Sequence, residues 1–148
     1  MNIAIGSDHA GYFAKETLKS YLEEKGYTVE DLGCFSEESV HYPVYGKAVA
    51  QAVSQGQAEK GILICGTGIG MSIVANKIPG IRAALCHDAF TAKASREHND
   101  ANILVMGARV LTPEQMKLIL EVWLDSQFAG GRHSQRLEMI KELDDCRR

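Results

Sequence analysis

Short apolar runs alternate along this chain with stretches in which apolar residues return every three or four positions. Ile3, Ala4 and Ile5, then residues 27–32, then Ile62, Leu63 and Ile64, then residues 81–86 and residues 103–106 read as five strands. Between them the period lengthens. Leu18, Tyr21 and Leu22 recur at helical spacing up to Gly26, a C-cap candidate, and Ala48, Val49, Ala52 and Val53 share one face of a helix over 45–53 that Gly56 stops. Residues 33–43 between those helices form a polar loop holding Glu37, Glu38, His41 and Tyr42. Further helices are predicted over about 71–77 and from His87 and Asp88 to about His98, with Pro79-Gly80 as a turn. Thr112-Pro113-Glu114-Gln115 is a strong helix start, because threonine can cap and proline suits the first turn; that helix turns Met116, Ile119, Leu120 and Trp123 inward. After Gly130-Gly131, a last helix over 134–144 carries Leu137, Ile140 and Leu143 on one side.

Strands that alternate with helices imply an α/β fold, a five-stranded parallel sheet covered by helices on both faces and joined by right-handed crossovers. Ligands of such sheets bind outside the carboxyl ends of the strands. Asp8 and His9 follow the first strand, residues 65–70 the third and His87 the fourth, so these polar residues collect on one edge. Residues 1–148 read as a single domain with no repeat or linker. The segment beyond Gly131 is too short to be a domain and must pack on its own sheet or on a second subunit.

With 148 residues and 45% hydrophobic content, one domain can bury a sizeable core, and a net charge of −3 without a basic run removes the footprint of a nucleic-acid binder. A small-molecule partner is expected. Cys34, Cys65, Cys86 and Cys146 include no C-x-x-C pair, so neither a zinc site nor a dithiol centre is indicated. A strand already begins at Asn2 with no secretory leader before it, and no apolar run approaches the roughly 20 residues of a membrane span. Free thiols and a cytoplasmic location are expected, with no membrane contact.

The most informative stretch is Gly61-Ile62-Leu63-Ile64-Cys65-Gly66-Thr67-Gly68-Ile69-Gly70-Met71-Ser72, a buried strand, a glycine turn and a helix start. Such a turn aims backbone N–H groups at one point and lets a ligand approach without side chains in the way. Cys65 lies beside those donors and a helix dipole that favours negative charge, a setting that suits a reactive thiolate. A lone cysteine ending a strand is more often a small hydrophobe; the glycine turn after it reverses that preference. A dinucleotide fingerprint would need glycine at Met71, and a P-loop would need lysine at Thr67.

Other polar groups carry two readings each. Arg132 and Arg136, four apart, form either a phosphate or carboxylate clamp or a solvated basic face. His98 is either a dipole partner at a helix end or an acid/base beside Asn99, and Asp8 is either a helix cap or a proton shuttle, with its strand-end position favouring the second. His41, Tyr42 and Arg109 are weaker signals. Cys34, Cys86 and Cys146 read as structural, Trp123 as core, and Glu37 and Glu38 as solvated. A cysteine base, a histidine, an N–H nest and two arginines together suggest proton transfer beside a carbonyl on a phosphorylated molecule, the work of an aldose–ketose isomerase without metal or cofactor.

Several motifs are similar to those of the ribose/galactose isomerase family, in particular the type B ribose-5-phosphate isomerases, with galactose-6-phosphate and allose-6-phosphate isomerases as relatives. They are Gly6-Ser7-Asp8-His9-Ala10-Gly11, Glu38-Ser39-Val40-His41-Tyr42-Pro43, Cys65-Gly66-Thr67-Gly68-Ile69-Gly70, Ala75-Asn76-Lys77, Gly80-Ile81-Arg82-Ala83, Ser95-Arg96-Glu97-His98-Asn99-Asp100-Ala101-Asn102 and Gly130-Gly131-Arg132-His133. The resemblance implies a Rossmann-like three-layer sandwich and a homodimer with shared active sites, or a tetramer, acting on a sugar phosphate in the non-oxidative pentose phosphate pathway. It implies Cys65 as the base moving a proton between C1 and C2, with Thr67 beside it, His98 assisting ring opening and Asp8 shuttling a hydroxyl proton. Gly66, Thr67, Gly68, Ile69 and Gly70 would bind the enediolate, and Tyr42 would contact the sugar. His9, Arg132 and Arg136 would hold phosphate, with Asn99 and Arg109 from the partner subunit. The family usually has Asp where His41 stands. A six-carbon sugar phosphate is the alternative substrate, and a non-catalytic phosphate- or nucleotide-binding module the remote alternative.

Overall fold

A computed structural model of the chain describes residues 1–146. The elements are β1 (Asn2–Ser7), α1 (Tyr12–Glu24), β2 (Thr28–Asp31), α2 (Tyr42–Ser54), β3 (Lys60–Cys65), α3 (Ile69–Ala75), β4 (Ala83–Leu85), α4 (Ala89–Glu97), β5 (Ile103–Gly107), α5 (Pro113–Asp125) and α6 (Arg132–Asp145). The sheet is parallel throughout, in the order β2-β1-β3-β5-β4. Alternate side chains of the central strands feed two cores. Ile3, Ile5, Ile62, Ile64, Leu104 and Met106 pack with Leu18 and Leu22 of α1, Ala92 of α4 and Trp123 of α5. On the other face, Ala4, Leu63, Ile103 and Val105 pack with Val49 and Val53 of α2 and Met71 and Ala75 of α3. The expected three-layer α/β sandwich is therefore the observed one, and Met116, Ile119, Leu120 and Trp123 are buried as their spacing predicted.

Several boundaries differ from the sequence expectation for identifiable reasons. Helix α2 starts at Tyr42 rather than residue 45, because Pro43 suits the first turn and so belongs to the helix instead of the loop. Strand β4 is confined to Ala83–Leu85 rather than residues 81–86. The amides of Arg82 and Ala83 are taken by the side-chain oxygens of Asn102 (2.8 Å) and Asn76 (2.9 Å), so side chains replace ladder bonds at its entry. Helix α6 begins at Arg132 instead of residue 134 and carries no buried side chain. Its Ile140 and Leu143 remain exposed, so of the two packings expected for this segment, on its own sheet or on a second subunit, the first is not the one observed. Among the described residues, no helix is long and apolar enough to cross a membrane.

One fully buried charge organises the edge where strands end. The Lys15 side chain on α1 is 0% exposed and its ammonium lies 2.6 Å from Asp31 at the end of β2. The other carboxylate oxygen of Asp31 accepts the Gly33 amide at 2.9 Å, and the Gly33 carbonyl accepts the Ser7 amide at 2.6 Å. The pair thereby joins α1 and β2 to the end of β1, immediately before Asp8. Burial alone would push the Asp31 carboxyl up, but the hydrogen bonds from Lys15 and Gly33 and the charges of Lys15 and Lys19 hold it below the usual carboxylate range.

Because the folded value is lowered, this contribution is present above pH ~4, the ordinary carboxylate value, and is lost as pH falls through the lowered one. Asp31→Asn removes one of the two carboxylates on the buried Lys15 ammonium and leaves Glu16, at 2.8 Å, as the other, so urea denaturation at neutral pH should show a loss of about 2 kcal/mol. The variant should lose less stability than the wild type on acidification below pH ~4. A change under about 0.5 kcal/mol at neutral pH would contradict this account.

Candidate active site divided between two edges of the sheet

The chain reverses direction across the sheet between β1 and β3, and their carboxyl ends are stitched together there. The Asp8 amide donates to the Ile64 carbonyl at 3.2 Å, and Asp8 Oδ1 accepts the Gly11 amide at 3.1 Å. Asp8 thus supports the entry to α1 without being its N-cap residue, which is Gly11. His9 Nδ1 accepts the Val40 amide at 3.2 Å, so in the neutral ring the proton resides on Nε2 and that nitrogen is a donor.

Cys65 closes β3 at 5% exposure, and its Sγ receives the Gly68 amide at 3.2 Å. Gly68 adopts φ +82°, which a residue with a side chain rarely reaches, and this left-handed turn swings its N–H back onto the sulfur. The Ile69 amide bonds Thr67 Oγ1 at 3.2 Å. Two donors of the expected nest therefore address the chain's own sulfur and hydroxyl. The Tyr42 ring lies over Gly70, where an added Cβ would come within 2.6 Å of it. Arg109 extends along Gly66, its Nη1 3.0 Å from where a Cβ would be. The resemblance assigns Arg109 to a partner's site; here it stands beside the glycine turn of its own chain.

The remaining candidates lie elsewhere. His98 caps α4, which runs back to the edge where strands begin. Arg82, just before β4, donates from Nε to the carbonyls of Asn99 (3.2 Å) and Asp100 (3.0 Å). Cys65 is in register with Gly107, at the other end of β5 from Ile103. At about 3.3 Å per residue, the two edges are roughly 15 Å apart. Asp8, His9, Cys65, residues 66–70 and His87 share the carboxyl edge as their positions after strands predicted, whereas His98, Asn99, Arg132 and Arg136, for which no edge was predicted, lie at the other. Helix α6 reaches this second edge because the Ala129 amide bonds the Glu97 carbonyl at 3.0 Å. There the rings of His98 and His133 stack, 4.5 Å apart and 18° from parallel. Desolvation, and then the charges of His98, Arg132 and Arg136, hold the His133 imidazole below its ordinary range.

A cavity of about 380 Å³ lies away from Cys65, between α6 and the β4 side, lined by Asn76, Ile81, Ala84, Ile140 and Leu143 among others. Among the described residues, no group of three or more His, Cys, Asp or Glu side chains is arranged to hold a metal. Cys34 and Cys86 are buried as expected of structural cysteines, but Cys146 is exposed, since it follows a helix that buries nothing. Burial pushes the Cys86 thiol up against hydrogen bonds from Ser95 and Thr91 that lower it. Sequence reasoning missed Lys15, Asp31 and the pairing of His133 with His98. A lysine on the apolar stripe of α1, three residues before Leu18, was the available signal for the first.

A family model described as Ribose/Galactose Isomerase matches residues 3–140. The chain is 47% identical over 145 residues to ribose-5-phosphate isomerase B of Escherichia coli (strain K12), covering 98% of this chain and 97% of that protein. It is 45% identical to a D-erythrulose-4-phosphate isomerase of Pectobacterium atrosepticum, covering 95% and 93% of the two chains. Among solved structures, Clostridium thermocellum ribose-5-phosphate isomerase B superposes with a TM-score of 0.98 at 49% identity, over 99% of each chain.

The close approach of Gly107 to the glycine turn supplies a test of the carboxyl-edge geometry. A Cβ at Gly107 would lie 2.6 Å from the Thr67 carbonyl carbon and oxygen, backbone that cannot rotate away. Gly107→Ala should displace the turn between Cys65 and Gly68 and lower stability by about 2 kcal/mol, read by thermal unfolding and by amide exchange at Gly68. An unaltered Gly68 amide would refute the contact.

Proposed function

The chain belongs to the ribose/galactose isomerase family, and from that premise we propose that it interconverts D-ribose 5-phosphate and D-ribulose 5-phosphate through a cis-enediolate, with Cys65 as base. The observation that supports this reading most is Cys65 itself, held at the sheet's switch point with Asp8 on the neighbouring strand end and the Gly68 amide on its sulfur. The Cys65 thiolate removes the C2 proton of the open-chain aldose. The C2–H electrons form the C1–C2 double bond, and charge collects on the former carbonyl oxygen, O1. Thr67 and those amides of residues 66–70 that are not engaged by Cys65 and Thr67 stabilise that oxygen, Asp8 carries the hydroxyl proton from O2 to O1, and Cys65 returns its proton to C1.

Ring opening and phosphate binding need residues from the other edge, roughly 15 Å from Cys65. We infer a homodimer in which the partner subunit's His98 opens the furanose, with the partner's Arg132, Arg136 and Asn99 near the phosphate and sugar. His9, with Nε2–H free as a donor, completes the phosphate contacts from the Cys65 side. The uncovered apolar side of α6, with Ile140 and Leu143, and exposed Ile69 and Ile73 of α3 support burial against a second copy.

The test is to incubate the protein with ribose 5-phosphate in deuterated water and follow both sugars by NMR. Deuterium should enter C1 of the ketose and, by reversal, C2 of the aldose, and Cys65→Ala should lower turnover at least about 10³-fold. Full activity of that variant would remove Cys65 from the mechanism. If the pentose phosphate were not turned over, four- and six-carbon sugar phosphates in the same assay would reassign the substrate within the family.

Site sharing makes a separate, statistical prediction. Cys65→Ala and His98→Asn variants, each nearly inactive alone, should recover about a quarter of wild-type activity when unfolded and refolded together in equal amounts, since half the dimers carry one intact site. No recovery from a mixture whose mixed dimers are confirmed by native mass spectrometry would place the whole site within one chain.

A further inference from the structure

We propose that His133 is a positioning residue for His98, and that the stacked pair with Arg132 and Arg136 forms one unit in which a phosphoryl dianion docking on the arginines loads a proton onto the pair. The inference rests on the reading of Arg132 and Arg136 as the phosphate clamp and of His98 as the ring-opening residue, and it adds His133, to which that reading gives no role.

The stack is built by the backbones on both sides rather than by a chance meeting of surface rings. His98 is the C-cap of α4 and His133 the second residue of α6, so each sits at the fixed end of a helix. Those ends are joined by the Ala129 amide to the Glu97 carbonyl at 3.0 Å. Beneath them, the buried Arg96 guanidinium bonds Asp100 Oδ1 (2.9 Å) and the Ala101 carbonyl (2.6 Å), while its Nε donates to the Ser126 carbonyl (3.4 Å). One side chain thus clamps the turn that carries His98 to the chain that leads into α6.

Rings 4.5 Å apart and nearly parallel restrict His98 to one plane, and two imidazolium charges at that distance repel. The pair therefore accepts one proton far more readily than two. Arg132 and Arg136, adjacent to and three residues beyond His133, add positive charge and oppose even the first. The acids on the facing turn are Glu97 and Asp100, and Asp100 is engaged by Arg82 and Arg96. A phosphoryl dianion seated between the arginines cancels their charge, so the pair gains a proton when substrate arrives. His98 can then give that proton to the ring oxygen O4 as the C1–O4 bond breaks and the C1 hydroxyl, becoming the aldehyde oxygen, loses its proton to solvent.

The experiment is an NMR titration of the histidine Cε1–H signals in the intact protein, with and without sulfate as a dianion whose charge is constant across the range. In the wild type, saturating sulfate should move the His98 titration midpoint up by about half a pH unit or more. His133→Phe keeps a ring to stack on but no proton, so His98 should titrate as a single site at higher pH without sulfate than in the wild type. Steady-state kinetics supplies the positioning readout. His133→Ala should lower kcat about tenfold with KM within about twofold, and His133→Phe should restore most of kcat while shifting the pH profile to the alkaline side. A His98 midpoint unmoved by both sulfate and His133→Phe, in a protein that still isomerises sugar phosphates, would overturn this proposal and leave the isomerase reading intact. Midpoints that respond as expected in a protein inactive on every sugar phosphate tried would support the anion-coupled pair and overturn the substrate assignment instead.

Discussion

The polarity of a parallel sheet is the constraint on which the rest of this molecule depends. Every strand runs the same way, so every helix returns the other way, and residues at strand ends and at helix ends are sent to opposite edges. Cys65 and Asp8 leave the sheet at the carboxyl edge; His98 leaves α4 at the amino edge. No loop movement closes a gap set by the length of a strand, because Cys65 is held in the ladder between β3 and β5. On the dimer reading proposed above, a two-fold axis meets this constraint at little cost, since one chain's amino edge set against its partner's carboxyl edge would make two identical sites.

Two buried cations steady the two edges. The Lys15–Asp31 pair fixes the turn at Gly33, while Arg96 fixes the turn at Asp100. Buried ion pairs are weak sources of net stability, since desolvation offsets much of the attraction. Their contribution here is geometric, as each guanidinium or ammonium joins segments that no apolar contact would align so closely. Trp123 reflects the same economy. Its Nε1 is buried without a partner, which costs about 1–3 kcal/mol, but Arg96 and Lys60 lie 5.7 Å and 6.0 Å from its ring and return part of that as cation–π attraction. Burial and the neighbouring Arg96 charge hold the Lys60 ammonium below its usual range, consistent with so many cations in one place.

Local patterns made the layers of the fold legible. Continuous apolar runs at residues 62–64 and 103–106 marked strands buried on both faces, and Thr112-Pro113 marked the start of α5, where Thr112 and Gln115 complete a capping box. Boundaries set by distant side chains were not legible: the amides taken by Asn102 and Asn76 shorten β4, and nothing near Ile81 in the chain announces this. The carboxyl-edge half of the site was legible for the same reason the fold was, since strand-end position follows from element order. The position of His98 followed from element order too, because a helix that leaves a parallel strand ends at the opposite edge. The contact between His98 and His133 was not, as it depends on how the segment from Ser126 to Arg132 crosses back over α4.

The division of the site also bears on which sugars such an enzyme accepts. On the reading above, the carbons that react sit at Cys65 of one chain and the phosphate sits at arginines of the other. The length of the sugar is then gauged by the gap between two subunits, not by a pocket wall inside one. Within a chain, Arg109 over Gly66 and Tyr42 over Gly70 only shape the end where the proton moves. That end is the same for any aldose phosphate, because C1 and C2 carry the same groups whatever follows them. Small shifts in subunit packing would therefore retune chain length without touching the base. Relatives named for four- and five-carbon phosphates, at 45% and 47% identity to this one chain, are what such an arrangement leads one to expect.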